Sequence, residues 1–86
     1  MIYLAITREG YEELIRNYGH IPSPIWVNNG VLSESELSSL RQSGVDITNF
    51  VVTINPEDSR SVQMAVETIK DHHPGHRVWV EYASSL

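Results

Sequence analysis

The chain has 86 residues, no cysteine and a formal net charge of −5, from six basic and eleven acidic side chains. This length suits one domain with a modest core, and the lack of cysteine excludes disulfides, thiolate metal ligands and a thiol nucleophile. The basic residues are scattered and no apolar run reaches membrane-spanning length, so we expect neither a nucleic-acid nor a membrane partner.

The first strand and the first helix follow each other without a gap. Alternating apolar residues predict a strand over Ile2–Thr7. Apolar residues at helical spacing then predict a helix that begins at Thr7 or Arg8 and ends at Gly19, which acts as a C-terminal cap. The two prolines in residues 20–24 exclude helix and predict a stiff connector to the next strand.

The second strand leads into the helix start with the clearest sequence signals. We predict this strand over Ile25–Asn28, followed by a turn at Asn29 and Gly30. Ser33 and Glu36 have the spacing of a capping box, which predicts a helix that Gly44 ends. A hairpin through the Asn-Gly pair is the alternative interpretation. The capping box so soon after the turn favours the helix.

The second half of the chain repeats the same alternation. A third strand is predicted over Thr48–Ile54. Asn55 and Pro56 then have the residue types of a helix cap and first helical position, and Pro74-Gly75 breaks the helix that follows. A fourth strand is predicted over Arg77–Tyr82.

The order βαβαβαβ predicts a single α/β domain over residues 1–86, with four mainly parallel strands and three right-handed helical crossovers. Strand order stays open at this stage. A reversed order, as in a flavodoxin-like or Rossmann-like miniature, would place helices on both faces of the sheet in three layers. A sequential order would place all three helices on one face in two layers.

Three aromatic residues are expected on the less aliphatic face of the sheet. Counting alternate residues places Tyr3, Trp26 and Trp79 together, with Ile25 and Val27 on the opposite face. Aromatic side chains are enriched at interaction hot spots because they combine a large area with few rotatable bonds. We predict that these three form an interface with a protein partner or with a second copy in a homodimer. Packing of the same residues under a helix is the alternative.

Polar residues follow the predicted strands at their carboxyl ends, where open parallel sheets bind ligands. Arg8, Asn28, Asn55 and Asp58 are the candidate ligand-binding residues there. The residue types at positions 55 and 58 are also those that helix starts prefer. Glycine-rich phosphate-binding motifs are missing from the sequence.

His72, His73 and His76 form the single histidine cluster of the sequence. Imidazoles close in sequence can ligate zinc, nickel or copper, but this spacing matches no established zinc motif. We therefore predict neither a metal site nor a cofactor, and the sequence leaves open whether the cluster binds metal.

No catalytic motif such as GxSxG or HExxH occurs in the sequence. We therefore predict a small acidic protein-interaction module of the cytosol without catalytic activity, serving as an adaptor, an inhibitor or a regulatory subunit. The alternative is a small-ligand- or metal-dependent enzyme with its site at the carboxyl ends of the strands.

Overall fold

The computed structural model describes residues 1–81 and arranges them as one parallel sheet of four strands with three helices. This confirms the predicted α/β class. Within these residues, no helix combines the length and the apolar character that crossing a bilayer requires. In chain order the elements are β1 (Ile2–Ala5), α1 (Arg8–Tyr18), β2 (Ile25–Val27), α2 (Glu34–Gln42), β3 (Ile47–Asn49), α3 (Ser59–His72) and β4 (Val78–Val80).

The strand order β3-β2-β1-β4 decides between the two architectures. The first two crossovers step in one direction across the sheet, and the third returns from the β3 edge to the β4 edge. Right-handed crossovers in opposite directions place their helices on opposite faces. Helices α1 and α2 therefore cover one face, the α1–α2 face, and α3 covers the other, the α3 face. This is the reversed, Rossmann-like order in three layers.

Each face of the sheet has its own hydrophobic core, as parallel sheets require. On the α1–α2 face, buried residues of β1, β2 and β3 pack against both helices. On the α3 face, the other side chains of β1 and β2 pack against α3. The first core contains Ala5, Tyr11, Leu14, Ile25, Val27, Val31, Leu32, Leu37 and Ile47. The second contains Ile2, Leu4, Ile6, Trp26, Ile54, Ala65 and Ile69.

The strand register corrects the predicted aromatic face. Tyr3 lies beside Ile25 and Leu4 beside Trp26, so Trp26 points to the α3 face and Tyr3 to the α1–α2 face. Tyr3 does share its face with Trp79, its partner in β4. The prediction that the three aromatics share one face was wrong, because alternation fixes the phase within a strand but not between strands.

The local signals at the first two helices are confirmed. Thr7 caps α1 by accepting a hydrogen bond from the Gly10 N–H, and Gly19 ends the helix at a φ of 75°. Ser33 and Glu36 form the reciprocal capping box at the start of α2. A helix therefore follows β2, and the hairpin alternative is wrong.

The third strand is shorter than its sequence predicts. Only Ile47–Asn49 pairs with β2, whereas the prediction extended to Ile54. The Phe50 N–H still donates to the Val27 carbonyl oxygen, and the chain then leaves the sheet and crosses the end of β2, where the side chain of Asn28 binds the backbone of Ile54. Residues 51–54 are rich in β-branched side chains and favour a strand, but the buried Asn28 side chain holds this segment in place of pairing with β2.

Helix α3 also begins later than predicted. Asp58 is its N-cap, accepting a hydrogen bond from the Arg60 N–H, and the helix starts at Ser59. Asn55, the predicted cap, makes a tight turn instead, in which its side chain accepts a hydrogen bond from the Glu57 N–H. The last strand ends at Val80, and the predicted strand residue Tyr82 lies outside the described residues.

Candidate functional site

Asn28 is a structural anchor at the carboxyl end of β2. It is buried, and its side-chain amide donates to the carbonyl oxygens of Ile6 at 3.0 Å and Ile54 at 2.9 Å. Its Oδ1 accepts the N–H of Ile54 at 2.7 Å. These bonds engage both donor hydrogens and the acceptor of the amide, so Asn28 presents no free group to a ligand.

Glu81 supplies a buried carboxylate at the start of α1. It accepts the N–H groups of Ile6 at 2.7 Å and Thr7 at 2.9 Å, together with the Thr7 hydroxyl. The positive end of a helix favours negative charge, and in Rossmann-like sheets the start of the first helix is where anionic ligands bind. Here a carboxylate of the chain itself fills that position.

Gly10 makes room for this carboxylate. A Cβ at position 10 would lie 1.9 Å from the Glu81 Cδ, far inside contact distance. Glycine within a helix costs about 1 kcal/mol relative to alanine. The close approach of Glu81 to the helix backbone explains why a glycine stands here despite that cost. This contact was not predicted from the sequence.

Arg8 links the starts of the two helices on the α1–α2 face. Its guanidinium donates to Glu12 at 3.2 Å, to Glu36 at 2.9 Å and to the carbonyl oxygen of Val31 at 3.1 Å. The Ser33 backbone N–H and then Arg8 hold the pKa of Glu36 below its usual value. Arg8 is thus committed to intramolecular ion pairs, each of which contributes little at an exposed surface.

The four predicted ligand-binding residues therefore have separate structural tasks. Arg8 joins two helices, Asn28 anchors a loop, Asn55 forms a turn and Asp58 caps α3. Within residues 1–81, no three His, Cys, Asp or Glu side chains lie close enough together to hold a metal ion.

The histidine cluster lies beside Trp26 at the end of α3. The Trp26 Nε1–H donates to His73 Nε2 at 3.4 Å, and the His72 ring centroid lies 5.4 Å from that of Trp26. The rings of His73 and His76 are 6.2 Å apart, edge to face. The first two histidines thus complete an aromatic cluster around a buried tryptophan.

An apolar groove opens on the α3 face, between α3 and the segment that follows β3. We call it the α3 groove, and its volume is about 410 Å³. Trp26 and Ile54 form its floor, residues 48–53 form one wall, and Ser61, Met64, Ala65, Thr68 and His72 of α3 form the other. Among these described residues, none is an acid, a lysine or an arginine.

The groove exists because one helix cannot cover four strands. Helix α3 packs on the β4 side of its face, which leaves β3 partly uncovered. Phe50 fills part of the gap by packing on Trp26, with ring centroids 5.1 Å apart. Three apolar side chains at the rim of the groove are exposed to solvent: Val51 is 89% exposed, Val52 70% and Met64 66%.

Sequence reasoning missed this groove because it assigned Phe50, Val51 and Val52 to a strand. In a central strand all three would be covered. The sequence signals that bear on this segment are the turn chemistry of Asn55-Pro56 directly after it and the polar Asn28 at the end of an apolar strand.

Trp79 marks a second partly uncovered place, at the β4 edge of the α1–α2 face. It is 39% exposed, and its ring centroid lies 6.1 Å from that of Tyr3. The Tyr3 hydroxyl shares a 2.8 Å hydrogen bond with the Tyr18 hydroxyl. This bond, with partial desolvation, raises the pKa of Tyr3. Trp26, by contrast, is only 6% exposed and belongs to the floor of the α3 groove.

Comparison of the chain with known proteins finds no match among protein-family models, curated proteins or solved structures. Function is therefore inferred from the geometry of the chain itself, in which the polar strand ends are internally bonded and the α3 groove is apolar and open.

Proposed function

We propose that the protein is a non-catalytic interaction module that binds a partner protein in the α3 groove. The observation that carries this proposal is the exposure of Val51, Val52 and Met64 around an apolar groove with a tryptophan floor. Exposed apolar side chains that adjoin one another mark binding surfaces more often than isolated ones do. A groove with an aromatic floor also has the composition of an interaction hot spot.

The dimensions of the groove suit a short peptide segment. Its α3 wall runs from Ser61 to His72, a length of roughly 16 Å at the helical rise per residue. An amphipathic helix of three turns has a matching length and presents apolar residues along one face. The occupant we propose is such a segment of another protein.

The charges around the groove favour a partner with basic residues. Arg60, Glu67 and Asp71 are exposed on α3 and lie at helical spacing from Met64, in the row beside the groove. This row has a net charge of −1, and the whole chain has −5. Lysine or arginine residues flanking the apolar segment would speed its association with the groove.

The alternative, an enzyme acting at the strand ends, has less support. Arg8, Asn28, Asn55 and Asp58 make internal bonds, and Glu81 occupies the helix start where an anionic ligand would bind. The chain lacks cysteine, as suits a reducing compartment. An adaptor, inhibitor or regulatory subunit of the cytosol is the role we propose.

Selection of binding peptides from a displayed library tests this proposal. We expect the selected peptides to combine an apolar helical face with basic residues. Met64→Asp, which places a charge on the rim, should weaken their binding by roughly thirtyfold, the loss expected when a hot-spot contact worth about 2 kcal/mol is removed. Titration calorimetry measures the change.

Gln63→Asp is the matched control. Gln63 is the exposed neighbour of Met64 on the same helix and is not part of the groove lining. It receives the same charge, so binding should stay within about twofold. Equal binding by the wild type and by Met64→Asp would contradict the proposal, and so would a selection that yields no binding peptide.

A further inference from the structure

Among residues 1–81, the outer edge of β4 carries a regular pattern of backbone groups that pair with no other strand. The Ile2 N–H donates to the Arg77 carbonyl oxygen, and the Glu81 N–H donates to the Leu4 carbonyl oxygen. Backbone groups of alternate residues point to opposite sides of a strand. Val78 and Val80 therefore point their N–H and C=O groups away from β1, and within residues 1–81 they have no partner strand.

The sequence of this edge is complementary to itself. Residues 77–81 read Arg-Val-Trp-Val-Glu, with one valine on each side of Trp79 and opposite charges at the two ends. An antiparallel pair of such strands, centred on Trp79, places Val78 opposite Val80. It also places Arg77 opposite Glu81. Because both valines point their backbone groups outward, each opposed valine pair exchanges two hydrogen bonds, which gives four in total.

Neither charged residue of this edge forms an ion pair with another residue of the described part of the chain, residues 1–81. Arg77 is exposed and forms no ion pair with any residue of 1–81. Glu81 is buried, and its described donors are two backbone N–H groups and one hydroxyl, all of them neutral. A buried carboxylate is stabilised by a nearby cation. Antiparallel pairing would bring Arg77 of a second copy to it.

Trp79 gives the same edge an apolar centre. Its side chain is 39% exposed and lies beside Tyr3. At the centre of the pair, the two Trp79 side chains would face each other at a non-hydrogen-bonded position. Side chains come closest there, and aromatic pairs stabilise sheets.

We propose that two copies of this chain pair through β4, antiparallel about a twofold axis at Trp79, and form a continuous sheet of eight strands. Complementary charges at Arg77 and Glu81 select a second copy of this chain. The α3 groove lies towards β3, at the opposite edge of each sheet. If the groove binds as proposed above, the dimer presents two binding sites at its far ends and gains avidity for partners with repeated segments.

Light scattering coupled to size-exclusion chromatography tests the dimer. The wild type should have twice the mass of one chain at high concentration and dissociate on dilution. Arg77→Glu would place a carboxylate opposite Glu81 of the second copy. The repulsion should shift the protein to the mass of a single chain. Val80→Pro, which removes an outward N–H without touching the bonds to β1, should do the same. Arg60→Glu, with the same charge change on α3, should stay dimeric.

Tryptophan fluorescence separates dimer loss from misfolding. In a Trp26→Phe background, Trp79 is the single tryptophan, and its emission should shift to shorter wavelength as the dimer forms. A wild type of single-chain mass at all concentrations would overturn the proposal, as would an Arg77→Glu variant that stays dimeric. Peptide binding by the folded Arg77→Glu variant is measured separately. Failure of the dimer proposal is therefore distinguishable from failure of the proposal that the α3 groove binds a peptide.

Discussion

Replacing Asn28 with alanine is expected to lower the free energy of unfolding by roughly 3 kcal/mol, because it leaves buried backbone groups without partners. The groups affected are the carbonyl oxygens of Ile6 and Ile54 and the N–H of Ile54. Urea denaturation measures the loss. We also expect the Ile54 amide to exchange with solvent much faster, since its bond to Asn28 holds the segment after β3 against the sheet.

Asn29→Ala is the matched control for this prediction. Asn29 is exposed, and its described side-chain bond is one to the Thr53 hydroxyl at 3.3 Å. Its replacement should change stability by no more than about 0.5 kcal/mol. Equal effects of the two substitutions would show that Asn28 does not anchor the loop, and would return it to the list of candidate ligand-binding residues.

Replacing Gly10 with alanine is expected to destabilise the protein by roughly 2 to 4 kcal/mol, although alanine is the better helix former by about 1 kcal/mol. The new methyl group would lie where the Glu81 carboxyl lies, 1.9 Å from its Cδ. The carboxylate must then leave its site, and the N–H groups of Ile6 and Thr7 lose their acceptor. Thermal and urea unfolding both measure the change.

A double-mutant cycle isolates the cause of this loss. Glu81→Ala alone should also destabilise, because it removes the acceptor from the start of α1. In the Glu81→Ala background, Gly10→Ala should become neutral or stabilising by up to about 1 kcal/mol, since only the helix preference remains. Additive effects in the double variant would contradict the close approach of the two residues.

The parts of the fold that the sequence predicts are those set by neighbouring residues. Gly19 ends α1 and the Ser33–Glu36 box starts α2 because each signal acts within one helical turn. Alternation of strands and helices likewise predicts parallel pairing. Relations between distant elements cannot be predicted from neighbouring residues. Whether Trp26 lies on the α3 face depends on how β2 is aligned with β1, and residues 20–24, which connect β2 to the preceding helix, influence that alignment.

The candidate site was less predictable than the fold for a related reason. Asn28 was predicted to bind a ligand, whereas its side chain bonds to Ile6 and Ile54, which lie 22 and 26 residues away in sequence. Glu81 contacts Gly10 from the other end of the chain. The path of residues 50–54 along the α3 groove depends on the bonds between Asn28 and Ile54, which are too far apart in sequence for a local pattern to reveal.

Titrating the isotope-labelled protein with the tightest peptide from the library selection, and following its amide NMR signals, tests the central claim most directly. We predict that shifts concentrate on the α3 groove, at the Trp26 indole N–H and at residues 50–54 and 61–68, while the signals of Arg8 and Gly10 stay in place. Shifts centred on Arg8, Gly10 and Asp58 instead would place binding at the carboxyl ends of the strands and contradict the proposed function.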